Sequence, residues 1–236
     1  MERNETAILM AAGLGTRMRP ITEKIPKPLV RVHGIPLIET IINGLQRRNV
    51  KEIYVVVGYL KEQFAYLEEK YDHLRLIENT EYLQKNNISS LYAVGDILGS
   101  ADCFICEADL YVTQEDIFNR VNGKSCYYGK MVPGHSDDWA FQLKDGKIIR
   151  VGKGGWDDYN MVGISWWTKA DAEIIREAIR RAYDTEGHEQ LFWDDIVNQE
   201  LERLEVGIIE VSEKSIIEID TIEELKDIDS SYDKNW

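Results

Sequence analysis

One stretch constrains the fold more than any other: Thr6 to Leu29 reads TAILMAAGLGTRMRPITEKIPKPL. Its opening, Thr6 to Met10, is a short apolar run that ends before Gly13, the pattern of a buried strand that hands the chain to a loop. Gly13 and Gly15 then let backbone N–H groups approach an anion closely. Arg17, Arg19, Lys24 and Lys27 follow at once, in a chain whose formal net charge is −14. A buried strand, a glycine loop and a knot of cations fit an α/β sheet that binds an anionic ligand beyond its carboxyl edge.

The alternation continues downstream. Leu37, Ile38, Ile41, Ile42 and Leu45 recur at helical spacing, and Ile53 to Val57 is a second buried strand closed by Gly58. This βαβ unit predicts a parallel pair with a right-handed crossover. Phe64, Leu67 and Tyr71 share a helical face, a strand follows over Leu74 to Ile77, a helix starts near Ser89, and Cys103 to Cys106 is another strand. The fold class is α/β: a doubly wound, mixed and mostly parallel sheet. Its ligand edge would gather the opening loop, Gly58 and the segment Glu107 to Asp109.

Beyond residue 122 the pattern becomes β-rich: Ser125 to Val132, Ala140 to Leu143 and Lys147 to Val151, with Asp145-Gly146 as a hairpin turn. Pro133, Gly134 and Gly152 to Gly155 are expected to break these stretches. Helices over about Lys169 to Tyr183 and Leu191 to Leu201, a strand at Ile216 to Ile219 and an acidic helix finish the chain. No repeat or long linker appears, so residues 1–236 read as one domain.

Composition narrows the classes. A charge of −14 repels nucleic acid and anionic membranes. No apolar run approaches the roughly 20 residues of a membrane span, and the first residues lack the basic-then-apolar pattern of a leader, so a cytoplasmic protein is expected. Cys103, Cys106 and Cys126 are an odd set without zinc-site spacing and read as buried thiols.

By spacing alone the opening loop is neither a P-loop, since no Lys-Ser or Lys-Thr follows the glycines, nor G-x-G-x-x-G, since position 18 is Met. The longer pattern is more specific. AAGLGTRMRPITEKIPKPL resembles the sugar-phosphate nucleotidyltransferase superfamily, whose members carry G-x-G-T-R-hydrophobic-x-P-hydrophobic-T-x-x-x-P-K-P-L after the first strand. VGYLKEQF at Val57 to Phe64, Asn86-Asn87 followed by Ser90 to Tyr92, Phe192 to Asp194, and IIEID at Ile216 to Asp220 narrow the resemblance to bacterial CTP:phosphocholine cytidylyltransferases.

The resemblance implies a Rossmann-like nucleotidyltransferase fold with a small β-rich acceptor-binding insertion, residues 1–122 being mainly nucleotide-binding and 123–236 mainly acceptor-binding and the source of the second metal carboxylate. It implies that Gly13, Gly15, Thr16 and Arg17 surround the β- and γ-phosphates of CTP, and that Lys27 reaches the α-phosphate; Lys27 and Arg17 are the expected catalytic residues. Base selection falls to Leu9, Ala11, Ala12 and Gly13, to Gly58 and Tyr59, and to Asn86, Asn87 and Ser90, although Ser89 or Ser90 would serve equally as a helix N-cap. Mg2+ is the expected cofactor, held by Asp109 and Asp220, with Glu107 and Glu218 as substitutes. Asp220-Thr221 also precedes a helix, so Asp220 reads equally as a cap.

For the acceptor, Trp139, Phe192 and Trp193 beside Asp194 or Asp195 form an aromatic and acidic set suited to an ammonium, with Lys153 for a phosphate or phosphonate. Phosphocholine is the first expectation. Asp137 and Asp138 before Trp139, and Phe192 where the resembling enzymes carry tyrosine, keep phosphoethanolamine and 2-aminoethylphosphonate open, because a primary ammonium has three N–H groups to satisfy. A sugar 1-phosphate is the further alternative. A homodimer, or one domain of a larger biosynthetic protein, is compatible with the pattern.

Overall fold

A computed structural model describes residues 4–234. Residues 1–3 and 235–236, and with them part of the leader-free reading, lie outside the described residues.

The first strand, β1 (Glu5–Ala11), pairs in parallel on both edges. After a loop of 3₁₀ turns come a two-residue hairpin, β2 (Arg31–Val32) and β3 (Ile35–Pro36), and helix α1 (Leu37–Arg47). Then follow β4 (Glu52–Val57), α2 (Tyr66–Lys70), β5 (Leu74–Glu78), α3 (Ile88–Ala93), β6 (Asp102–Glu107) and β7 (Leu110–Val112). The second half holds β8 (Cys126–Lys144), β9 (Lys147–Trp167), α4 (Lys169–Tyr183), α5 (Trp193–Glu200), β10 (Gly207–Glu210), β11 (Ile216–Glu218) and α6 (Ile222–Ile228).

Seven strands form the main sheet in the order β10-β8-β9-β6-β1-β4-β5. Only β9 runs against its neighbours, so the sheet is mixed and mostly parallel, as expected. Burial along β1 explains its continuous apolar run: Ala7, Leu9 and Ala11 pack on one face with α1 and α2, while Ile8 packs on the other with α3, α4 and α5. Each fully buried side chain of Leu, Ile or Val size is worth roughly 1.5–3 kcal/mol. Leu37, Ile38, Ile41, Ile42 and Leu45 of α1 are all 0% exposed, which anchors the crossover between β1 and β4.

Three local expectations change. Pro133, Gly134 and Gly152 to Gly155 do not end strands; β8 and β9 run through them as one long hairpin, absorbing them as register shifts near Val132/His135 and Ser136/Trp139. Strand β10 is an edge strand of four residues that carries too little pattern to be read in advance. Tyr71 lies just past α2, although it is buried with Phe64 and Leu67 as their shared face requires. The three cysteines are buried free thiols, and burial pushes Cys103 and Cys126 up to about 12.

A smaller apolar cluster ties the two ends of the described chain together. Met18 and Ile21 of the opening loop pack with Val30, Val32, Leu37, Ile219 and Leu225. Position 18 is therefore apolar for a packing reason. Beside this cluster, β11 pairs antiparallel with β7, setting Glu218 opposite Leu110. Among the described residues, no helix is long and apolar enough to cross a membrane.

Candidate active site

At the carboxyl end of β1 lies a cleft of about 240 Å³. Gly13, Gly15, Thr16 and Arg17 line it together with Lys27, Asp109 and Asp220. Gly15 sits in the left-handed region at φ 60°, and a Cβ there would lie 2.9 Å from the Lys27 Cβ and 3.1 Å from the Thr22 Cγ2. The Thr22 hydroxyl donates to the Gly15 carbonyl at 2.7 Å, closing the loop on itself. Around Gly13 a Cβ would meet nothing within 4 Å, which leaves that side of the cleft open.

Lys27 begins a short 3₁₀ turn between Pro26 and Pro28, and both prolines restrict the backbone that aims it. The residue is only 6% exposed, and its Nζ donates to Asp109 Oδ2 and Asp220 Oδ1, each at 2.6 Å. Burial by itself would lower the Lys27 pKa. The charge and hydrogen bond of Asp109, then those of Asp220, outweigh it and raise the pKa above its ordinary value. Arg17 Nη2 reaches Asp220 Oδ1 at 2.7 Å from a largely solvated position.

The carboxylates come from three places in the sequence. Asp109 follows β6, Glu218 ends β11, and Asp220 precedes α6. Thr221 performs the capping that Asp220 could have performed, with Glu224 completing a capping box, so the Asp220 side chain turns to the cleft. One oxygen from each of Asp109, Glu218 and Asp220 lies within 4.8 Å of the others. Asp109 Oδ1 is buried without a hydrogen-bond partner among the described residues. That orphaned oxygen in an all-carboxylate donor set fits a hard divalent cation such as Mg2+. Burial, then Asp109 and Asp220, push the Glu218 carboxyl up to about 7; burial and then Asp109 hold Glu107 well above the usual carboxylate range.

The remaining nucleotide-side expectations divide. Gly58 and Tyr59 lie against the loop, where the Tyr59 N–H donates to the Ala12 carbonyl at 3.2 Å. The side chains of Ala11 and Ala12 are buried, leaving only their backbone to a ligand. Leu9 is different: it lies inside a central strand whose two edges are paired, with a side chain in the core, so it is set back from the cleft. Ser90 also turns inward. Its hydroxyl accepts from Asn79 Nδ2 at 3.2 Å, alongside Ser89, and neither serine caps α3; Asn87 holds the N-cap position.

Of the acceptor set, Trp139, Phe192 and Lys153 come together. The Trp139 and Phe192 rings meet edge to face at 5.5 Å, and Lys153 Nζ stands 5.6 Å from the Phe192 centroid. They line a pocket of about 400 Å³ with Arg150, Asp195 and Asn198. Trp193 and Asp194 are not in it. They open α5, whose helical period turns Trp193, Asp194, Ile196 and Val197 inward. Trp193 stacks on Tyr127, and Asp194 accepts from the Tyr127 hydroxyl at 2.9 Å. Asp195, next along the helix, lines the pocket in place of Asp194. A small cavity bordered by Met10, Glu107 and Trp193 lies between: Met10 also lines the glycine cleft, and Trp193 follows Phe192 in the chain.

Comparison with known proteins places the chain in a family. A family model for the MobA-like NTP transferase domain matches residues 7–205. A 2-aminoethylphosphonate cytidylyltransferase of Lancefieldella rimae is 53% identical over 227 residues, 96% of this chain and 92% of that one. A choline-phosphate cytidylyltransferase of Streptococcus pneumoniae is 37% identical over 94% of this chain and 96% of its own. The solved CTP:phosphocholine cytidylyltransferase from Streptococcus pneumoniae matches with a TM-score of 0.88 at 35% identity, covering 97% of this chain and 99% of that one. A putative glucose-1-phosphate thymidylyltransferase from Bacillus anthracis shares the fold at 17% identity, with a TM-score of 0.78 over 98% and 96% of the two chains. The chain belongs to the MobA-like NTP transferase family, and it is a nucleotidyltransferase.

Proposed function

We propose that the protein transfers CMP from CTP to 2-aminoethylphosphonate and releases pyrophosphate. The observation that carries the transfer chemistry is Lys27, buried and aimed by two prolines into a glycine-lined cleft, with its Nζ 2.6 Å from Asp109 and from Asp220. The relative named for this acceptor, 53% identical over 96% of the chain, supports the choice of amine. Phosphocholine is the second reading, favoured by the Trp139–Phe192 pair, whose ring faces suit a quaternary ammonium.

In this reading Gly13, Gly15, Thr16 and Arg17 receive the β- and γ-phosphates, and Lys27 moves from the carboxylates to the α-phosphate. Residues 1–122 carry the nucleotide; residues 123–236 carry the acceptor pocket and Asp220. Asp109 and Asp220, with Glu218 beside them, would hold an Mg2+ ion, which when bound would neutralise phosphate charge and act as a Lewis acid. A phosphomonoester has a second pKa of about 6, and a phosphonate is a dianion of the same kind, so the attacking oxygen needs no general base. That oxygen forms a bond to the α-phosphorus as the bond to the β-phosphate oxygen breaks, and the electron pair leaves with pyrophosphate. The chain's contribution is orientation and charge.

Pyrophosphate release with CTP and Mg2+ against separate acceptors tests the reading. 2-Aminoethylphosphonate is expected to give the highest kcat/KM. Turnover with glucose 1-phosphate and none with any amine would overturn it; preference for phosphocholine would move the assignment to the second reading.

A further inference from the structure

Asn86 and Asn87, at the corner between β5 and α3, hold the other half of the molecule. The Asn86 N–H donates to the Glu189 carbonyl at 2.9 Å, and Asn86 Nδ2 donates to the Gln190 carbonyl at 2.6 Å. Asn87 Oδ1 accepts from the Trp193 N–H at 3.0 Å. The partner of that bond is a backbone donor, so the Asn87 atom it meets must be the oxygen. Trp193 is the first residue of α5, where an N–H has no partner within the helix. Asn87 therefore satisfies an orphan donor from a residue 106 positions away.

What this bond holds in place is the acceptor pocket. Phe192 immediately precedes Trp193, occupies the N-cap of α5, and presents the ring that meets Trp139 and Lys153. Asp195 tethers Phe192 further at that turn: the Phe192 N–H donates to Asp195 Oδ2 at 2.9 Å, and the Phe192 carbonyl accepts from the Asp195 N–H at 3.1 Å. On its inner side Trp193 is fixed by packing on Tyr127 and Trp167. The outer side of the 189–193 segment is fixed by the asparagine corner, so the segment cannot shift without breaking bonds to the β5–α3 turn.

We propose that Asn87 is a positioning residue for the acceptor: through its oxygen on the Trp193 N–H it sets where Phe192 stands. The effect on acceptor affinity rests on the amine-transfer reading above; the tether itself does not.

Asn87→Ala and Asn87→Asp separate the roles, because aspartate keeps an oxygen acceptor at the same reach and alanine keeps none. With 2-aminoethylphosphonate and CTP, Asn87→Ala is expected to raise the KM for the amine roughly tenfold while the KM for CTP stays within about twofold, the loss of one hydrogen bond being of this order. Asn87→Asp is expected to return the amine KM to within about threefold of the parent. A rise confined to the KM for CTP, or equal rises in both, would overturn the proposal, as would an Asn87→Asp variant no better than Asn87→Ala. Amide hydrogen exchange of the ligand-free proteins reads the tether without turnover. Exchange at the Trp193 amide is expected to be several-fold faster in Asn87→Ala and close to parental in Asn87→Asp; unchanged exchange in Asn87→Ala would refute the tether whatever the substrate proves to be.

Discussion

Gly15 has the narrowest choice of side chain in the cleft. Its backbone is left-handed, which costs a residue with a Cβ about 1–2 kcal/mol, and the new atom would press on the Lys27 Cβ at 2.9 Å. Gly15→Ala is therefore expected to lower Tm by roughly 5 °C, since a loss of about 1 kcal/mol is worth about 2–4 °C in a domain of this size. It should also lower kcat by displacing the lysine. An unchanged melt and unchanged kcat would contradict the packing described. Asp194 is constrained by charge instead. Burial pushes its carboxyl from an ordinary 3.8 up to about 7. Between those two values the folded protein holds a proton that the unfolded chain has released, so this group's contribution to stability falls as pH rises across the window. Asp194→Asn cannot ionise and keeps an oxygen for the Tyr127 hydroxyl. Its Tm relative to the parent is expected to climb between about pH 4 and pH 7; a difference that stays flat with pH would show that Asp194 is not held protonated.

Among the elements, the β8–β9 hairpin and α5 together make the acceptor pocket, one supplying Trp139 and Lys153 and the other carrying Phe192 at its N-cap. Trp139→Ala is expected to raise the KM for the amine about tenfold and leave the KM for CTP within about twofold. A change confined to CTP would remove Trp139 from the pocket. The elements also differ in how readable they were. Helix α4 was legible over Lys169 to Tyr183 because Ala172, Ile175, Ala178 and Ile179 repeat at helical spacing. The hairpin was misread because Pro133, Gly134 and the Gly152 to Gly155 run are ordinary terminators. Only tertiary pairing turns them into irregularities within long strands. Strand β7 has three residues, too few for any period, although its pairing with β11 is what brings Glu218 and Asp220 to Asp109. Trp193 and Asp194 were placed in the pocket because an aromatic beside a carboxylate looks like an ammonium site. The phase of α5 decides which of four neighbouring residues faces out, and one residue of phase sends Asp194 to the core and Asp195 to the pocket.

At the scale of the whole molecule, the glycine loop and the turn carrying Lys27, Asp109 after β6, and Asp220 before α6 converge from the beginning, middle and end of the described chain on one edge of the sheet. The cluster of Met18, Ile21, Ile219 and Leu225 fixes that convergence mechanically, and the Lys27 bridge fixes it electrostatically. This explains where so acidic a protein places its cations: Lys27 and Arg17 face its carboxylates and the space for a polyphosphate. The opening motif was legible because its residues are contiguous; Glu218 entered only as a substitute ligand because its place beside Asp109 depends on strand pairing. The central claim is that Lys27 acts on the transferring phosphate. The most direct measurement is the turnover of Lys27→Ala with saturating CTP, Mg2+ and 2-aminoethylphosphonate, alongside equilibrium CTP binding and a circular-dichroism check that the variant is folded. A charge acting on the transition state predicts a kcat lower by about 100-fold or more, with CTP affinity reduced much less. A folded variant that turns over within about twofold of the parent would contradict the account.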